Sequence, residues 1–234
     1  MIETIAFDGD DTLWHNETLF SVTQARFAEL LEPYGDFDDL SETLVATEGR
    51  NLMVFGYGIK GFILSMIETA IEVSDGRVQA GDIQAIIDAG KAMRDHPVEL
   101  LEGVRDVVEL LAGGPQRIMV ITKGDLFDQE SKLAGSGLAD LFDAIEIVSE
   151  KDEVTYRRIL DRYAIDPGSF LMVGNSLRSD VLPVVGVGGR AVHVPYELTW
   201  ALEQVEPVVG ARPGVWELET IRSLPTLLEQ LHAA

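Results

Sequence analysis

The chain has 234 residues, 46% of them apolar and 25% charged, which is enough for a packed core in one large domain or two modest ones. With 40 acidic against 18 basic residues the formal net charge is −22, so the surface repels nucleic acid and anionic membrane, and any anion site needs its own local positive charge. There are 0 cysteines, which excludes disulfides and thiolate metal sites, and the histidines at 15, 96, 193 and 232 are too scattered for zinc-ligand spacing.

The first element is a short apolar run over 4–7 that ends in Asp8-Gly9-Asp10-Asp11-Thr12. Unpaired carboxylates are costly to bury, so the spacing predicts a strand whose C-terminal end emerges at a polar site, the edge where open α/β sheets bind ligands. No basic stretch followed by an apolar stretch precedes this strand, and no apolar run reaches the length of a membrane span. A cytoplasmic location is the expectation.

From 15 to about 115 the pattern is helical throughout. An apolar stripe runs over 18–31 (Phe20, Val22, Ala25, Phe27, Leu30, Leu31). Phe62, Ile63, Met66, Ile67, Ala70 and Ile71 recur on one helical face, and segments 81–93 and 98–111 follow. The last is read as the crossover helix into the second strand. A crossover needs only a dozen or so residues, so the excess reads as an inserted all-helical cap domain over 15–97. The core domain is then 1–14 and 98–234. Gly56-Tyr57-Gly58-Ile59-Lys60-Gly61 fits a dinucleotide-binding Gly-x-Gly-x-x-Gly, and Asp82 falls about twenty residues on, but the strand that should follow is missing. The segment reads instead as a turn between two helices, and Arg50, Tyr57 and Lys60 around it read as surface residues rather than substrate contacts.

Further strands are expected at 117–121, 144–148, 170–173 and 191–194. Helical segments separate them at 126–135, at 153–163, and from about 179 to the glycines at 186, 188 and 189. The tail from about 203 adds a strand or loop at 214–218 and a closing helix at 221–231. Strands alternating with helices at this spacing predict an α/β fold, a Rossmann-like parallel sheet flanked by helices.

Chemistry-bearing residues fall at four strand ends: Asp8, Asp10 and Thr12 after the first, Thr122 at the second, Lys151 after the third, and Gly174-Asn175-Ser176 with Asp180 after the fourth. A parallel sheet brings these ends to one edge. Asp8 is the candidate nucleophile, since a carboxylate attacking phosphorus splits one hard displacement into two easier ones. Asp10 is the candidate general acid and then base, and a neighbouring carboxylate is the kind of group that lets it hold a proton near neutral pH. Magnesium suits an all-oxygen site that also contacts phosphate.

In this order the four motifs resemble those of the haloacid dehalogenase-like (HAD) superfamily of hydrolases, across essentially the whole chain. Asp8-x-Asp10-x-Thr12 fits the first motif, Thr122 the second, Lys151 the third, and Gly174-Asn175 with Asp180 the fourth. The resemblance assigns Asp10 rather than Asp11 as the acid. It implies a magnesium site on Asp8, the Asp10 carbonyl, Asn175 and Asp180, with Lys151 neutralising the phosphoryl oxygens and Thr122 donating to them. The family often carries Asp where this chain has Asn175. Lys123, next to Thr122, is a further candidate for the substrate anion, and Trp14 and His15 follow the first motif at the expected site mouth, with Trp14 read as packing rather than recognition. The expected activity is a magnesium-dependent phosphatase acting on a small phosphorylated metabolite, as a monomer or homodimer. A 2-haloacid dehalogenase, a phosphomutase and a non-catalytic binding protein of the same fold are the alternatives.

Overall fold

The structure, a computed structural model, describes residues 1–35, 37–205 and 213–233. Residues 206–212 of the tail lie outside the described residues.

Six parallel strands form one sheet: β1 (Thr4–Phe7), β2 (Arg117–Lys123), β3 (Ala144–Val148), β4 (Phe170–Gly174), β5 (Arg190–His193) and β6 (Val215–Glu217), in the order β3-β2-β1-β4-β5-β6. β1 is central, with Ile5 facing Ile118 on one side and Leu171 on the other. Its runs of Ile, Ala and Phe suit a strand covered on both faces. Alternate residues feed two cores. Ile5, Phe7, Val120, Leu171, Val173 and Val192 pack with the buried faces of α5 (Val104–Ala112) and α9 (Leu224–Ala233). Ala6, Met119, Ile121, Met172 and Ala191 pack with Tyr156, Ile159 and Leu160 of α7 (Glu153–Tyr163) and with Val184 of α8 (Leu182–Gly186). Burying each such large side chain stabilises by about 1.5–3 kcal/mol. The connections diverge on either side of β1, so the C-terminal edge has its switch point there, where ligands bind in such sheets.

The chain divides into two compact units, residues 1–15 with 98–234, and residues 16–97. The second holds α1 (Glu17–Leu31), α2 (Leu40–Phe55), α3 (Ile59–Val73) and α4 (Ala80–Asp95) around Phe27, Leu31, Leu44, Phe62, Met66, Ala70, Ile86 and Met93. Residues 56–58 of the Gly56–Gly61 segment are the turn from α2 to α3, and 59–61 open α3. Gly56 and Gly58 take φ of 73° and 103°, a left-handed backbone that glycine adopts without strain. No helix among the described residues is long and apolar enough to cross a membrane.

Several boundaries differ from expectation: the closing helix expected over 221–231 is a 3-10 turn over Ile221–Ser223 followed by α9, and two further helix starts have a clear cause. The helix expected over 98–111 begins only at Val104, because residues 99–101 are drawn into backbone pairing with the end of the first motif: the His15 amide donates to Glu99 at 2.9 Å and the Leu101 amide to Leu13 at 3.0 Å. The helix expected from about 179 begins at Leu177 as a wide π-helical turn over Leu177–Val181, capped by the Ser176 hydroxyl, which accepts from the Ser179 amide at 3.0 Å.

Candidate active site

The loop after β1 carries the first motif. The Asp8 amide donates to Val173 of β4 at 2.9 Å, which fixes where β1 releases its carboxylate. Gly9 is held close: a Cβ there would lie 2.8 Å from the Trp14 ring and 3.0 Å from Thr122 Oγ1. Asp11 takes a left-handed φ of 60°, and its amide closes the turn onto the Trp14 carbonyl at 2.7 Å.

Asp8, Lys151 and Asp180 form a buried triad. The Lys151 ammonium donates to Asp8 Oδ1 and, at 2.7 Å, to Asp180 Oδ1. Lys151 reaches the cluster because Asp152, the next residue, caps α7, accepting from the Thr155 amide at 2.7 Å. Asp180 comes from the π-helical turn, and its Oδ2 accepts from the Ser176 amide at 3.0 Å. Thr12 ties the triad to the fourth motif: its hydroxyl lies 3.3 Å from both Asp8 Oδ2 and Asn175 Oδ1, and accepts from the Asn175 amide at 3.0 Å. His193, at the end of β5, places Nε2 3.0 Å from the Asn175 carbonyl and Nδ1 3.1 Å from Glu217.

Two carboxylates share one ammonium, so the cluster carries an excess negative charge. Burial pushes the Asp8 carboxyl up to about 7, against the pull of Lys151, with the charges of Asp180 and Asp10 adding to the rise. Desolvation works against the Lys151 ammonium, but Asp180 and Asp8 outweigh it and hold its pKa above the ordinary lysine value. Among the described residues no group of three or more His, Cys, Asp and Glu side chains is arranged as a metal cage. The donors on hand are instead two carboxylates, the Asn175 amide oxygen and backbone carbonyls. An all-oxygen, electron-rich set with a cation deficit fits magnesium, which keeps waters and takes only one or two protein carboxylates.

Asp10 occupies a different environment. Its Oδ1 accepts from Trp14 Nε1 at 2.7 Å and Lys132 Nζ at 2.8 Å, and its Oδ2 from Lys132 Nζ at 2.9 Å and Gln129 Nε2 at 3.1 Å. Thr122 is fully buried at the end of β2, and its Oγ1 lies 2.8 Å from Gln129 Nε2. Lys123 lies apart from this group: its ammonium sits 2.5 Å from Glu203 Oε1, 3.1 Å from Ser179 Oγ and 3.5 Å from Glu150.

Structure thus gathers Asp8, Lys151 and Asp180, links Asn175 to them through Thr12, and places Asp10 and Thr122 around Gln129. Sequence reasoning missed Gln129, Lys132 and Glu203. The first two lie three residues apart on α6 (Leu126–Ser136), hence on one helix face. That spacing, on the helix that leaves the Thr122 strand, was the available signal.

The fold is of the Rossmann-like α/β class, with the Asp8–Lys151–Asp180 cluster beyond the end of its central strand. Residues 2–188 match the haloacid dehalogenase-like hydrolase family, and the chain belongs to it. A haloacid dehalogenase-like family hydrolase from Xanthomonas campestris is 43% identical, with a TM-score of 0.89, and the match covers 99% of this chain and 96% of that one. A HAD hydrolase from Bacillus subtilis bound to magnesium shares the fold at 16% identity, with a TM-score of 0.67 and coverage of 97% and 98%. A 2-haloacid dehalogenase from Pseudomonas syringae does so at 21%, with a TM-score of 0.65 and coverage of 99% and 100%. No curated protein matches the chain significantly.

Proposed function

We propose that this hydrolase is a magnesium-dependent phosphatase that cleaves a small phosphate monoester through an aspartyl-phosphate on Asp8. The observation that carries the reading is the second carboxylate: Asp10 stands two residues beyond Asp8, close enough for its charge to act on the Asp8 carboxyl. Phosphoryl transfer to a carboxylate needs a proton donor for the departing oxygen. Displacement of a halide from carbon needs none.

Asp8 attacks phosphorus, the P–O bond to the leaving group breaks, and Asp10 delivers its proton to the departing oxygen. Asp10 then takes a proton from water, whose oxygen attacks the same phosphorus. The bond to Asp8 breaks, inorganic phosphate leaves, and the carboxylate is restored. Lys151 holds Asp8 in line and offsets charge on the phosphoryl oxygens. The Thr122 hydroxyl, beside Gly9, donates to the same oxygens in this reading. Asp8, Asp180, Asn175 and the Asp10 carbonyl are the residues that would hold magnesium, which supplies charge neutralisation to the substrate phosphate when bound. The four-helix unit is assigned the role of a selectivity cap, and the substrate a soluble metabolite of the cytoplasm.

A panel of phosphorylated metabolites, with p-nitrophenyl phosphate and 2-chloropropionate alongside, tests the assignment with and without magnesium. Magnesium-dependent phosphate release supports it. Metal-independent chloride release with no phosphate release overturns it in favour of a dehalogenase.

A further inference from the structure

We propose that Lys132 is a positioning residue that aims the Asp10 carboxylate for proton transfer. The proposal rests on the phosphatase reading above.

A carboxylate presents about four lone-pair sites, and at Asp10 four donor contacts meet them, Trp14 and Lys132 on Oδ1, Lys132 and Gln129 on Oδ2; one contact gives way when Asp10 carries the proton it delivers. The group's rotation about its own axis is therefore set from outside. Trp14 comes from the same loop and is buried in the core that holds Ile5 and Phe7, but it meets Oδ1 alone and leaves the carboxylate plane to others. Lys132 and Gln129 come from α6, which is anchored independently. Leu133 of that helix is buried in the core that also holds Ile5 and Phe7, and Asp125 caps its first turn, accepting from the Asp128 amide at 3.2 Å.

The two α6 side chains divide the work. Gln129 spreads one amide nitrogen over Asp10, Thr122 Oγ1 and the Lys123 carbonyl, at 3.1, 2.8 and 3.0 Å. Lys132 alone spans both carboxylate oxygens of Asp10, at 2.8 and 2.9 Å, and it is the one that sets the carboxylate plane. Its side chain is only 20% exposed, so the contact is partly shielded from water. The proposal uses its two bonds to Asp10 and needs no contact with substrate.

A group that aims the acid matters in proportion to how much the leaving oxygen needs a proton. The parameter kcat/KM reports the steps through formation of the aspartyl-phosphate, in which Asp10 acts as acid. Nitrophenolate departs with little protonation, whereas an alkoxide requires it. The test compares Lys132→Met and Lys132→Arg with the unaltered protein on p-nitrophenyl phosphate and on glycerol 3-phosphate, both with magnesium. Lys132→Met should lose at least about tenfold more kcat/KM on the alkyl ester than on the aryl ester, a fraction of the full value of a general acid. Lys132→Arg, which also spans two oxygens, should recover most of that difference. An equal loss on the two esters, or no loss, overturns the proposal while leaving the phosphatase reading intact. Chloride release without metal and no phosphate release from any ester of the panel overturns the reading and the proposal together, and an alkyl phosphate that the panel shows to be cleaved replaces glycerol 3-phosphate where that ester is not turned over. Lys132→Gln, close in length and uncharged, repeats the comparison should Lys132→Met prove unstable.

Discussion

Lys151 Nζ lies 2.7 Å from Asp180 Oδ1, in a place where the lysine side chain is 2% exposed and the aspartate side chain 0%. Its other partner is Asp8, so this ammonium is the counter-charge of two buried carboxylates at once. Removing it leaves like charges facing each other out of water. Lys151→Met should therefore lower stability by about 3–5 kcal/mol, read from urea denaturation midpoints. Adding Asp180→Asn to it should restore part of the loss, because one of the stranded charges is then gone. Strictly additive losses would show that the three groups are not coupled.

Gly174 makes room for Asp180. A Cβ at position 174 would lie 2.2 Å from Asp180 Oδ2 and 2.3 Å from its Cγ, so the carboxylate must move if one is added. Gly174→Ala should cost about 1–3 kcal/mol of stability, the usual price of overpacking. It should also weaken magnesium binding markedly, seen as a smaller magnesium-induced rise in Tm, while far-ultraviolet circular dichroism stays unchanged. A variant that binds magnesium as tightly as the unaltered chain would remove Asp180 from the metal site.

The five strands up to residue 194 were legible because each is a short, mostly apolar run closed by Asp8, Thr122, Ser149, Gly174 or Pro195, a local pattern that suits a doubly covered sheet. Asp8, Thr122, Lys151 and Asp180 were legible for the same reason, since each sits at or just beyond the end of such a run. Lys132 and Gln129 were hidden because a lysine or glutamine in a helix is ordinary, and only the packing of α6 shows that they meet Asp10. Lys123 shows the converse: its place beside Thr122 suggested a phosphate contact, but Glu203, 80 residues downstream, holds its ammonium. Pairing over that distance leaves no local signal. The late start of α5 has a similar cause, since the segment before it pairs with the Leu13–His15 backbone rather than continuing a helix.

Glu203 offers a pH test of that pairing. Burial alone would raise its carboxyl, but Lys123, Ser176 and Ser179 together hold it below the ordinary glutamate value of 4.5. A carboxyl with a depressed folded-state pKa contributes stability that is present above its unfolded pKa and lost as the pH falls through the folded one. Glu203→Gln should consequently lower Tm at neutral pH, and the gap to the unaltered protein should narrow below about pH 4.5, as the native carboxyl takes up its proton. Thermal melts across that range check it; a gap independent of pH would mean that Glu203 acts through shape and not charge.

Asp8 and Asp10 differ in what their loss should do, and the difference separates nucleophile from acid. Asp8→Asn keeps the size and much of the hydrogen bonding of the side chain, yet an amide does not attack phosphorus, so turnover should vanish and no covalent phosphate should form. Asp10→Asn leaves the nucleophile in place. With p-nitrophenyl phosphate the first step needs little acid, but hydrolysis of the aspartyl-phosphate still needs a base to activate water, and that step should slow by about 10²–10⁴-fold. The phosphorylated protein should accumulate, and mass spectrometry of acid-quenched samples reads it directly. Covalent phosphate on Asp8→Asn would place the nucleophile elsewhere. Its absence on an otherwise folded Asp10→Asn, with the aryl ester still turned over at full rate, would give the proton transfers to another group.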